Sequence, residues 1–75
     1  MAKRKFDNDI GKRMTLECLR LFPTNEKAAA SLGVSVDSIY RWQYGQAPSA
    51  APLARLHYAG GDVIYVLTGR KGDDK

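Results

Sequence analysis

Cysteine and histidine are nearly absent from this chain: Cys18 and His57 are the sole residues of their kinds. One cysteine excludes an internal disulfide and favours a reducing compartment. With one histidine beside it, a Cys/His zinc site cannot be assembled, and no metal or other cofactor is expected. No apolar run approaches the length of a membrane span, and the opening MAKRKFDND is basic with no apolar stretch behind it. The expected location is the cytoplasm, with no membrane partner. A phosphate-cradling glycine loop is missing too, since Gly60, Gly61, Gly69 and Gly72 read as helix stops or tail. Without paired acids in a cleft-like context, the chain is not expected to be an enzyme.

What is present suits one small domain. The 75 residues are 44% hydrophobic, enough for a globular fold around a marginal core. With disulfides and metals set aside, well-packed helices and self-association are left to stabilise it. The formal net charge of +4 permits an anionic partner without naming one. The excess gathers near the start, where Lys3, Arg4, Lys5, Lys12, Arg13 and Arg20 face Asp7, Asp9 and Glu17. Residues 1–6 read as a basic arm, either a solvated terminus or a phosphate-contacting segment. Residues 7–69 read as the folded domain and 70–75 as a polar tail.

The pattern within 7–69 is helical. Asp7 or Asn8 can cap a first helix whose stripe runs through Ile10, Met14, Cys18 (or Glu17) and Leu21, widened by Leu19 and Phe22, until Pro23 ends it. Gly11 weakens that helix by about 1 kcal/mol relative to alanine. Thr24 caps a second helix, NEKAAASL, whose alanines let another helix approach closely. Gly33 stops it, and Ser35 caps a third helix from Val36 to about Tyr44, closed by Gly45. Ile39 and Trp42 form the inward edge of this third helix. Ser49 is placed to cap a fourth helix, with Pro52 in its first turn and Leu53, Leu56 and His57 as its buried edge. DVIYVLTG fits a strand as well as a short helix; Asp62 as cap and Gly69 as stop favour the helix. The expected fold is all-α, a compact bundle of about five short helices.

Two helices joined by a glycine turn, the second with a polar outer face, make a helix-turn-helix. Ala29 supplies the small residue at the crossing, Gly33 the turn, and Val34, Ile39 and Trp42 the apolar pins. The segment TNEKAAASLGVSVDSIYRWQYGQAPS resembles the helix-turn-helix of the phage Cro and repressor family, with Ala29, Leu32-Gly33, Ser35, Ile39, Gly45 and Pro48-Ser49 in register. GDVIYVLTG is similar to the terminal helix of that family, so the likeness spans residues 8–69. It implies a DNA-binding transcriptional regulator in a bacterial host, with the third helix in the major groove of a palindromic operator. Asn25 would clamp the backbone at the start of helix two. Ser35, Val36, Asp37 and Arg41 would face the groove, and Ser38, Tyr40 and Tyr44 would lie nearer the flanking phosphates. Trp42 departs from the aliphatic residue common at its position, and Ala29 or Ala50 would make room for it.

The chemistry of these positions can be argued separately. The planar fork of Arg41 can donate two bonds to guanine O6 and N7, whereas pairing with Asp37 one turn earlier would make it a surface ion pair. Asp37 can accept from cytosine N4, and Val36 can touch a thymine methyl. The hydroxyls of Tyr40 and Tyr44 suit phosphate oxygens, unless the rings are partly buried. The third helix has no net charge, so attraction to phosphate falls to Lys3, Arg4, Lys5, Lys12, Arg13 and Lys27, with Thr24 beside them at the start of helix two. Affinity in the family comes from a two-fold dimer. Val63, Ile64, Val66 and Leu67 are the candidate homodimer surface, the alternative being that they complete the core. No small-molecule ligand is expected. A DNA-binding antitoxin-like subunit with a separate polypeptide partner, or a protein-docking module using the aromatic third helix, would share most of these features.

Overall fold

The computed structural model describes residues 9–70. The chain forms five helices: α1 (Asp9–Leu21), α2 (Asn25–Leu32), α3 (Val36–Gln43), α4 (Ala50–Tyr58) and α5 (Val63–Thr68). There is no strand among the described residues, so the 62–69 segment resolves as a helix. The helix cap expected at Asp7 or Asn8, the basic residues Lys3, Arg4 and Lys5, and residues 71–75 lie outside the described part.

α1 is the spine of the bundle, packing against α2, α3 and α5. Met14, Cys18, Ala28, Ala29, Leu32, Ile39, Trp42, Leu56 and Val66 form one core. It draws on every helix, so no helix is dispensable. Ala28 and Ala29 are buried on α2 and share the core with Trp42, itself buried. Ala50, the other small residue expected to make room for Trp42, is exposed.

Two further departures concern which side of a helix faces inward. Leu19 does not widen the stripe of α1 but is 61% exposed. At about 100° per residue it lies some 140° around the helix from Met14. The buried places nearer the core axis go to Thr15 and Glu17 instead. On α4 the buried edge is Pro52 and Leu56 with Leu53 half-buried, while His57 points outward against the Tyr58 ring. Ser49 stands at the N-cap of α4 but makes no side-chain capping bond.

A spacing feature holds the bundle tighter than its residue types suggest. Gly11 is buried, and a Cβ there would lie 2.5 Å from the Trp42 carbonyl oxygen and closer still to that of Gln46. The glycine is what lets α1 touch the end of α3.

Candidate nucleic-acid interface

The turn between α2 and α3 is built from local hydrogen bonds. The Thr24 hydroxyl accepts from the Lys27 amide at 3.1 Å and starts α2. At the other end Gly33 takes φ 71, and the amides of Gly33 and Val34 donate to the carbonyls of Ala30 and Ala29. This paired pattern satisfies the last carbonyls of a helix and requires a left-handed residue in the middle, which glycine adopts without strain. Arg55 of α4 lies against Gly33 and donates to the Leu32 carbonyl at 3.1 Å, bracing the turn. Ser35 then accepts from the Ser38 amide at 3.2 Å and opens α3.

α3 is divided into two sides. Ile39 and Trp42 are 1% and 3% exposed and anchor its back. Asp37, Tyr40, Arg41 and Tyr44 form the outward front, with Tyr40 45% and Tyr44 89% exposed. The two tyrosines are therefore available to solvent rather than packed on the following loop. Arg41 Nη2 donates to Asp37 Oδ2 at 2.9 Å, with both side chains more than half exposed.

Not every candidate shares that front. Val36 is half-buried and packs against the core, so its methyls are turned partly away from any groove. Ser35 and Ser38 are engaged with each other, hydroxyl to hydroxyl at 3.2 Å, besides the capping bond. Asn25 is half-buried at the first residue of α2, with Lys27 exposed beside it. Arg13 donates through Nε to the Val66 carbonyl at 2.9 Å, a neutral partner that fixes the side chain but leaves its charge in place. Gln43, passed over in the sequence, is exposed on α3 one turn after Tyr40 and carries the amide that suits adenine. Its signal was the i,i+3 spacing from Tyr40.

The chain matches no family model, no curated protein and no solved structure. Its site must be read from its own geometry.

A second surface lies on α4 and α5, neither of which packs on α3. An open groove of about 810 Å³ runs between α4 and α5, with Leu53, Ala54, Tyr58, Ile64 and Leu67 among its walls and Arg20 and His57 at its edge. Ile64 and Leu67 are exposed, Val63 is half-buried, and Val66 is wholly buried. Val66 is thus a core residue and cannot belong to a dimer surface of the folded chain. Among the described residues no group of three or more His, Cys, Asp or Glu could hold a metal ion, and no helix is long and apolar enough to cross a membrane.

Proposed function

We propose that the chain is a sequence-specific double-stranded DNA-binding regulator, a Cro-like phage or prophage repressor that lays α3 in the major groove of a palindromic operator as a homodimer. The observation that carries this reading is the division of α3: an apolar back fixed in the core and a front made of an acid, an arginine and two phenols. A helix with its side chains measures about 10–12 Å across, and the major groove is about 12 Å wide. Such a front supplies donors and acceptors for base edges with tyrosine hydroxyls at its margin for phosphate oxygens. Thr24, Asn25 and Lys27 would meet the backbone at the start of α2, where unpaired helical amides favour an anion. Repression then needs no chemistry, only occupancy of a site that polymerase must use.

The homodimer face in this reading is Val63, Ile64 and Leu67 with the α4 wall of the groove. The same groove favours one second reading, an antitoxin-like DNA-binding subunit whose polypeptide partner fills it. Selection from random duplexes at about 0.15 M salt, where non-specific attraction is screened, tests the first reading. Retention of a palindrome with half-sites about one helical turn apart is expected. A retained pool without any motif would leave only charge-driven binding. No retention at all would remove the DNA reading, and a second polypeptide that co-purifies would support the alternative.

A further inference from the structure

We propose that Asp37 and Arg41 act as one unit that reads the whole major-groove edge of a single G·C base pair. The inference rests on the DNA-binding reading above and names the base pair that the site requires. The contact between them uses one guanidinium nitrogen, Nη2, and one carboxylate oxygen, Oδ2, 2.9 Å apart on the exposed front of α3. A guanidinium has five N–H donors and a carboxylate about four acceptor positions, so most of each group is left to offer. Side by side they present donor, donor, acceptor.

The major-groove edge of a G·C pair presents the complement. Guanine N7 and O6 accept, and cytosine N4 donates. Within the pair, O6 and N4 are joined by their own hydrogen bond, about 2.9 Å long. Arg41 Nη2 and Asp37 Oδ2 are likewise one hydrogen bond apart, at 2.9 Å, so the two edges can meet in register. Arginine donors then fall on N7 and O6 and a carboxylate oxygen on the outward N4–H. An A·T pair offers acceptor, donor, acceptor and would set a donor against a donor and an oxygen against an oxygen. Asp37 therefore turns a reader of guanine into a reader of the pair. It also leaves the front of α3 without net charge, so the contact adds specificity rather than general attraction to phosphate. Ser38, the neighbouring hydroxyl, is bonded to Ser35 and does not compete for the guanidinium.

The test starts from the duplex that the full chain selects from a random pool, with affinities then read by fluorescence anisotropy. Three changes are made at each selected G·C pair: an A·T replacement, 7-deazaguanine to remove N7, and N4-methylcytosine to put a methyl where N4–H faced the groove. At one pair per half-site, each should weaken binding roughly tenfold, the size of one good base contact. Asp37→Ala and Arg41→Ala should both relax preference at that same pair. Asp37→Ala should become indifferent to N4-methylcytosine while keeping its response to 7-deazaguanine. Both side chains are exposed, so unchanged circular dichroism should confirm that the variants fold. Relaxation at two different pairs would overturn the unit, as would a selected motif lacking G·C. Tighter binding of Asp37→Ala to all duplexes with the preference at that pair kept intact would also overturn it, showing that the acid only restrains Arg41. Failure of the unaltered chain to select any motif would overturn the DNA reading itself, and the pair reading with it.

Discussion

At the scale of single residues, Gly11 shows how a propensity argument can reverse. Considered alone, a glycine inside α1 costs about 1 kcal/mol against alanine, and Gly11→Ala would stabilise the chain. In the fold the added methyl would press on the backbone carbonyls of Trp42 and Gln46. Backbone atoms cannot rotate aside as a side chain can, and overpacking of this kind costs typically about 1–3 kcal/mol or more. Gly11→Ala should therefore lower the melting temperature by several degrees, since about 4–8 °C accompanies each kcal/mol in a domain of this size. Because the clash falls at the end of α3, affinity for the selected duplex should drop as well; a higher melting temperature would show that the loop yields. The sequence could not reveal this, because it does not say what approaches a glycine. The caps Thr24, Ser35 and Asp62 were legible, since each acts on an amide three residues on. Ser49 had the same local signal and makes no such bond.

Among the elements, α5 is the one that its own residues cannot explain. It has six residues, far below the roughly 12–15 at which an isolated helix becomes even marginal in water. Two side chains one turn apart on α1 hold its ends. Glu17 accepts from the Asp62 amide at 2.8 Å at the N-terminus, and Arg13 donates to the Val66 carbonyl at the C-terminus. The signs match the helix dipole, negative at its positive end and positive at its negative end. These partners are 45 and 53 residues apart in the chain, so the clamp could not be read from sequence, and the strand alternative stayed open. The Glu17 carboxyl is held below its ordinary 4.5 chiefly by the Arg20 side chain and further by the Asp62 amide, against the opposing effect of burial. Its contribution to stability is complete above 4.5 and is lost as pH falls through the lowered folded value. Glu17→Gln should cost about 1–3 kcal/mol at neutral pH and flatten the acid limb of a urea-midpoint profile. A variant whose acid limb runs parallel to that of the parent chain would assign the loss to other carboxylates.

At the scale of the whole molecule, the fold carries two distinct surfaces, one on α3 and one between α4 and α5. α3 presents hydrogen-bonding groups, and α4 with α5 lines an open apolar groove. The two are tied mechanically through α1, which touches the end of α3 at Gly11 and clamps α5 through Arg13 and Glu17. The helical pattern, the turn and the apolar anchors of α3 were all visible in the sequence, because each depends on spacings within one segment. The division of VIYVLT was not visible: which of its apolar residues turn inward depends on where α1 and α4 stand. Val66 is taken by the core, leaving Ile64 and Leu67 outside.

That division makes the proposed dimer testable without unfolding the monomer. Ile64 is 53% exposed, so Ile64→Asp should lower monomer stability by only about 1 kcal/mol, roughly half of what full burial of the side chain is worth. A charge set into an apolar interface would nevertheless oppose association, since an unpaired charge cannot be buried at low cost. Sedimentation should show the variant shifted toward monomer at concentrations where the parent chain dimerises. Its binding to an isolated half-site should be unchanged, while its advantage on the full palindrome disappears, because only the linked pair of reading helices gains from the second half-site. If the variant kept both its dimer and its preference for the palindrome, the two-fold contact would have to lie on another face. The α4–α5 groove would then be left to a different partner.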